Sequence, residues 1–446
     1  MTDLLVAPEE VAGPGPEPTP TPAPARRRFR RLRRLLRTRT VRVILVLGVV
    51  GALVLGRSVS LALTAPGTDS VAARLAIWAR DHRAGALVNL GERLSYKPPK
   101  VGGAPAEAIG KAAAGTRDAV APPATPPAAA LVEVGGHPMP PGTEPGPAKA
   151  PPTTVVVAAA AAPAPPPPPP APKGLPAPDD IAPIAGTPIA DEGVWQTLQS
   201  AGDVPLVRAA YLRADSVYTS YLSAVAWLDT KMLGFNLAPG ASDPGGGPWP
   251  VGASLPVGER RDVVAAFNSA FRMVDSRGGF YLGGKTVGTM RDGAATIVFY
   301  NDGSVQVGAW NRSVKMTPEV LGARQNLDLI VEDGQVNRLI NDNSGNRWGA
   351  TIGNELYVWR SGVGITATGA LIYASGPRLS AETLANLLVR AGAIRAMELD
   401  INPSWTIFVH YDPGGGTANK LQSGMQRPAT IYDTVSSRDF IVARLR

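Results

Sequence analysis

Arg395-Ala396-Met397-Glu398-Leu399-Asp400-Ile401-Asn402-Pro403-Ser404-Trp405 is the stretch from which the rest of the chain is read. Ahead of it lies the clearest helical pattern. Ser380 is a good N-cap, Leu384, Leu387 and Leu388 fall at helical spacing, and Gly392 suits the position just past a helix end. Residues 393–399 then read as a strand returning into the core. It breaks at Asp400, because Pro403 has no N–H to offer a ladder. Glu398 and Asp400 are two apart, so an extended backbone points both to one face. Adjacent like charges raise one pKa and prepare an acid and a base, which makes the pair a catalytic candidate. The alternative is a turn carrying solvated acids.

Outward from this stretch, residues 176–446 read as one large α+β domain, a hairpin-rich mixed sheet with packed helices. Thr296 to Tyr300 and Val305 to Val307 flank Asn301-Asp302-Gly303-Ser304, a strong hairpin signal. A second hairpin joins Asp328 to Val331 with Gln335-Val336 across Glu332-Asp333-Gly334. Further strands are expected at Leu222 to Phe235, Val263 to Phe267, Leu356 to Trp359 and Gly364 to Tyr373, and a short helix at Val194 to Gln199 after a capping Asp191. Internal repeats, a Rossmann fingerprint and a P-loop are absent from the sequence.

The N-terminal part is of another kind. Residues 1–42 are Pro-rich, then Arg-rich, and are expected to be disordered and cytoplasmic. The arginines from Arg26 to Arg42 precede an apolar run from Val43 to Ala65, broken only by Arg57. Val43 to Gly56 alone is too short to span a bilayer, which needs about 20 residues, but extension to Ala65 supplies the length and leaves Arg57 to snorkel near the outer end. Positive-inside then predicts a single-pass plasma-membrane anchor with the C-terminal domain extracellular; a cleaved signal peptide is the alternative. Residues 66–96 carry two short juxtamembrane helices. Residues 97–175 form a Pro/Ala-rich linker, expected to be disordered, that reaches on the order of 250 Å if fully polyproline and about 50 Å as a coil.

The net charge of +8 does not argue for nucleic acid, because the basic excess lies near the N-terminus and the chain from about 176 onward is near neutral. The absence of Cys excludes a disulfide framework and thiolate metal sites. No cofactor and no metal site are expected. His410 is the domain's lone His and cannot build a usual zinc site. Asn341, Asp342 and Asn343 lack EF-hand spacing and read as a polar turn.

The helix, strand, Asp, loop and Ser in this order resemble the closing motif of the phosphodiester glycosidase family, in a membrane-anchored bacterial form. Asp400 matches the family's Asp and Ser404 its Ser, while Glu398 stands in place of an Asn and Ile401-Asn402-Pro403 replaces three glycines. Asn268 in Ala266-Phe267-Asn268-Ser269-Ala270-Phe271 matches the Asn of an Asn-Gly-Gly-Phe-Phe element, and Arg347 in Arg347-Trp348-Gly349-Ala350-Thr351-Ile352-Gly353 the Arg of Arg-Thr-Ala-Ile-Gly. The resemblance implies cleavage of the bond between an anomeric carbon and a phosphate oxygen. Arg347 would then offer phosphate a planar fork, and Asp400 would serve the sugar side with Glu398 as partner. Asn268, Ser404 and His410 would contact substrate, and Trp348 and Trp405 would stack on sugar rings. The expected partner is a carbohydrate or wall glycopolymer. The rival reading is a non-catalytic carbohydrate-binding or envelope-organising protein on the same fold. Oligomeric state is not legible.

Overall fold

The computed structural model describes residues 39–64, 71–106, 108–109, 174–351 and 355–446. The Pro-rich N-terminus, most of the arginine run and the linker from 110 to 173 lie outside the described residues.

Helix α1, Arg39–Leu63, contains the apolar segment Val41–Leu63, with a mean hydropathy of 2.2, and is long enough to cross a membrane. Helices α2, Val71–Asp81, and α3, Gly85–Ser95, form a hairpin. Its first helix packs on the end of α1: Trp78 Nε1 donates to Ser58 Oγ at 2.9 Å, and an Arg74 Nη1 donates to Leu63 O at 2.8 Å. Beyond α3 the chain docks on the C-terminal domain. Gly102 N donates to Val217 O at 2.7 Å, Thr219 Oγ1 donates to Gly103 O at 2.7 Å, and Ile109 is buried in the domain core. The start of the expected linker is therefore part of the folded unit.

The C-terminal domain is α+β and built on three sheets. One has eight strands, in the order Gln196–Ala201, Val204–Leu212, Ser223–Leu228, Leu371–Leu379, Val358–Thr366, Ala393–Glu398, Leu329–Glu332 and Gln335–Val336. A five-stranded sheet carries Ala418–Lys420, Phe408–Tyr411, Val263–Asn268, Phe440–Leu445 and Leu233–Ala238. The other five-stranded sheet includes the hairpin Ala295–Tyr300/Val305–Ala309, where Gly303 takes φ +81° and Asp302 Oδ1 accepts from Ser304 N at 2.8 Å. The expected mixed pairing resolves into ladders that are antiparallel throughout the named strands, with parallel pairing at the bridges Gly240–Pro244 and Trp310–Val314. One large apolar cluster joins the sheets. At its centre Phe267, Tyr373 and Phe408 lie 5.1–5.4 Å apart, each ring removing enough area from water to contribute about 2–3 kcal/mol.

Helix α4, Ala381–Arg390, forms as read. Ser380 Oγ accepts from Thr383 N at 3.0 Å, Leu384, Leu387 and Leu388 are buried, and Gly392 turns the chain at φ +91°. Three expectations are corrected. Leu222 to Phe235 is not one strand: the chain turns at Asp229, whose carbonyl accepts from Met232 N and Leu233 N, and Ser223–Leu228 and Leu233–Ala238 join different sheets. Val194 to Gln199 is not a helix: Gln196–Ala201 is an edge strand on Val204–Leu212, and Asp191 sits at φ +61° rather than in a cap conformation. Tertiary pairing here overrides a short local pattern. Gly364 to Tyr373 is not one strand but the turn between Val358–Thr366 and Leu371–Leu379, closed by Gly369 at φ +92°.

Candidate functional site

Three strand ends converge beside the aromatic centre. Strand Val263–Asn268 ends at Asn268, which lies opposite Phe440 in the ladder, so residues 438 and 439 arrive next to 269–271. Strand Ala393–Glu398 ends alongside, with Asp400 N donating to Ser269 O at 3.1 Å. Antiparallel pairing is the reason: it sets the start of one strand against the end of its neighbour.

Asp400 is 6% exposed. Its Oδ1 accepts from Asn402 N at 2.9 Å, and its Oδ2 lies 3.5 Å from Arg438 Nη2. Its backbone carbonyl accepts from Ser361 Oγ at 2.7 Å and Thr406 Oγ1 at 3.1 Å. Burial raises the carboxyl's pKa above the usual range and Arg438 opposes the rise. Pro403 does not spoil this arrangement, because the loop's N–H donors are Asn402, Ser404, Trp405 and Thr406: Ser404 N donates to Asn402 Oδ1 at 2.9 Å, and Trp405 N and Thr406 N donate to Asn402 O at 2.8 and 2.9 Å.

Arg438 is the residue the sequence reading missed. Its guanidinium lies over the Trp405 ring at 4.7 Å, beside that of Arg427 at 4.4 Å. Its Nη1 is 4.0 Å from Asp243 and, among the described residues, makes no hydrogen bond. Behind it, buried Arg324 holds Asp439 at 2.8 Å and reaches Asp243 at 3.9 Å. Asp243 in turn accepts from Met273 N at 3.1 Å, and burial followed by the nearby Asp439 raises its pKa. The available signal was Arg438-Asp439 directly before the apolar run from Phe440, a charged pair at a strand start that mirrors Glu398 and Asp400 at a strand end.

The other candidates are placed as follows. Glu398 is fully buried and paired to Arg360 Nη1; burial, against the pull of that Arg, pushes it up to about 7. Its Oε2 has no partner among the described residues. Asn268 is saturated: Oδ1 accepts from Tyr373 OH at 2.9 Å and Ile407 N at 3.0 Å, and Nδ2 donates to Ser361 Oγ at 3.0 Å. Arg347 Nη1 pairs with Asp328 at 3.0 Å on the domain surface. Trp348 is buried, its Nε1 donating to Leu339 O at 3.0 Å, and His410 sits in strand Phe408–Tyr411, pushed down to about 4 by burial. Asp342 accepts from Ser344 N at 2.9 Å in a polar turn.

Of these residues Asp400, Ser404, Trp405 and Arg438 line one cavity of about 1220 Å³, with Phe271, Arg272 and Gln426. The α2–α3 hairpin lines it too, through Ala72, Ala76, Ile77, Arg80, Val88 and Gly91. No cluster of His, Asp or Glu suited to a metal occurs among the described residues.

Residues 261–430 match the family model described as phosphodiester glycosidase. No curated protein matches the chain. Among solved structures, the chain is similar to the catalytic domain of zebrafish N-acetylglucosamine-1-phosphodiester alpha-N-acetylglucosaminidase, auto-inhibited by its pro-peptide, at 15% identity and a TM-score of 0.37, covering 56% of this chain and 87% of that one. A hypothetical protein from Synechocystis is similar at 14% identity and a TM-score of 0.33, over 54% of this chain and 62% of that one.

Proposed function

From the premise that residues 261–430 are a phosphodiester glycosidase domain, we propose that the Asp400–Arg438 cavity hydrolyses a sugar-1-phosphodiester at its C1–O bond, outside the cytoplasm, with wall glycopolymers among its substrates. The observation that carries this reading is a buried carboxylate and a guanidinium side by side on one cavity wall.

The chemistry has two halves. Phosphate is a good leaving group, so a cation that holds it matters more than a strong general acid. Arg438 meets that need: its guanidinium lines the cavity, lies over the Trp405 ring and presents Nη2 toward Asp400 at 3.5 Å. Arg272 also lines the cavity, held by Asp275 at 2.9 Å and Asp81 at 2.7 Å. Asp400 serves the sugar side, as nucleophile or as stabiliser of the oxocarbenium-like transition state. The phosphate role thus moves from Arg347 to Arg438. Ser361, and Asn268 through it, become positioning residues that hold the Asp400 carbonyl, while Glu398 pairs with Arg360.

One observation favours the second reading, carbohydrate binding without turnover: Asp400 is already engaged by Arg438 and Asn402 N. The experiment measures sugar release by the full chain from an α-N-acetylglucosamine-1-phosphodiester and from isolated wall polymer, beside Asp400→Asn and Arg438→Ala. Release by the wild type, lost in both folded variants, is expected. Release that persists in Asp400→Asn overturns the assignment of the site. Glycan binding with no release selects the second reading.

A further inference from the structure

Resting on that reading, we propose that the substrate is lipid-linked: a sugar-1-phosphodiester whose second ester is a long-chain alcohol held in the bilayer.

The argument starts from what builds the cavity. The domain side is charged, with Asp400, Arg438 and Arg272, while the hairpin side brings apolar residues, Ala72, Ala76, Ile77 and Val88, beside Arg80 and Lys97. Ala72 and Ala76 are four apart, hence on one face of α2, and Ile77 from α2 and Val88 from α3 line the cavity with them. At Gly91 an added Cβ would meet nothing within 4 Å, so the cavity is open there. The hairpin is fixed to α1 by Trp78 on Ser58 and Arg74 on Leu63, within the last turns of the apolar segment Val41–Leu63. It is equally fixed to the domain: Arg272 Nη1 pairs with Asp81 at 2.7 Å, and the Arg378 guanidinium lies over the Tyr96 ring at 5.2 Å. If α1 spans the bilayer, the hairpin holds the cavity close to the membrane surface.

Such a cavity offers charged and apolar lining together. Its volume of about 1220 Å³ exceeds the ~300–1,000 Å³ usual for a small-molecule site, leaving room for the first part of an alkyl chain beside a sugar phosphate. A soluble wall polymer uses the charged lining and has no use for the apolar residues. In the reaction, the sugar C1–O bond breaks, the hydroxyl of water bonds to C1, and the water proton goes to the phosphate oxygen. The products are the free sugar and a lipid monophosphate retained in the bilayer.

The test uses the full chain in nanodiscs, with the methyl and decyl esters of α-N-acetylglucosamine-1-phosphate as probes. The decyl ester is expected to have at least tenfold the kcat/KM of the methyl ester. In the double variant Ile77→Asp/Val88→Asp that ratio is expected to fall below two. A decyl ester carrying a terminal diazirine is expected to cross-link within residues 71–95 of the wild type, a readout independent of whether the variant folds. Equal rates on both esters, a ratio unchanged in the double variant, or cross-links confined to other segments each overturn the lipid inference and leave the hydrolase reading standing. Turnover of neither ester overturns both.

Discussion

Asp400 Oδ2 lies 3.5 Å from Arg438 Nη2, joining the end of one sheet's strand to the start of another's through a partly buried ion pair. The pair tunes Asp400, because burial favours its neutral form and Arg438 favours the carboxylate. Arg438→Ala is expected to lower kcat/KM by about 100-fold or more, the usual cost of a lost transition-state donor. The acid limb of the pH profile should also move to higher pH, since Asp400 loses its cation. Arg438→Lys keeps the charge without the planar fork, so it should restore the pH limb and only part of the rate. A pH–rate series on the three proteins checks this, and an unmoved limb in Arg438→Ala would separate the two residues functionally.

Asn268 separates a structural role from a binding role. It accepts from Tyr373 OH and Ile407 N and donates to Ser361 Oγ, which in turn donates to the Asp400 carbonyl. Asn268→Ala leaves those buried groups unsatisfied, at a cost of about 1–3 kcal/mol. The expected signature is a lower Tm and a lower kcat with KM little changed. A large KM increase at unchanged Tm would return Asn268 to the substrate.

Two buried groups set opposite pH dependences. Glu398 is raised from 4.5 to about 7, so its contribution to stability is present below pH 4.5 and lost as pH rises through 7. His410 is lowered from 6.5 to about 4, so its contribution is present above pH 6.5 and lost as pH falls toward 4. Each shift is worth up to about 3 kcal/mol. Glu398→Gln is expected to lessen the fall in Tm between pH 5 and 8, and His410→Leu to lessen the fall between pH 6.5 and 4. Thermal midpoints across pH 4–8 check both, and parallel curves for wild type and variants would refute the assignments.

Gly349 takes φ +83°, and a Cβ there would lie 2.5 Å from the Phe271 ring and 3.3 Å from Ile401. Phe271 and Ile401 both line the cavity. Gly349→Ala is therefore expected to cost about 2 kcal/mol or more, through backbone strain and displaced packing, and to reduce turnover by shifting the loop that carries Asp400. Denaturation and kinetics on one preparation check the pairing of effects.

The late helix, the two hairpins, the apolar N-terminal helix and the Asp400 loop were legible from residues near one another in sequence. Caps, turn residues and periodicity act over a few positions, and Ser380, Gly392 and Asn301-Asp302-Gly303-Ser304 behave as their local chemistry dictates. The resemblance likewise drew the eye to Asp400 and Ser404, which do line the cavity. What the sequence did not display is pairing over long separations. Asn268, Asp400 and Arg438 meet only because antiparallel ladders set residue 268 opposite 440, and Asp400 N against Ser269 O. The same three-dimensional accounting places Arg347 against Asp328, Trp348 in the core and Glu398 on Arg360. A side chain's residue type says what it can bond, but its neighbours decide which of those bonds are already spent. Helices α2 and α3 make the point most fully: amphipathic in sequence and without an assigned place, they line the cavity once Arg272, Tyr96 and Gly102 tie them to a domain more than a hundred residues away.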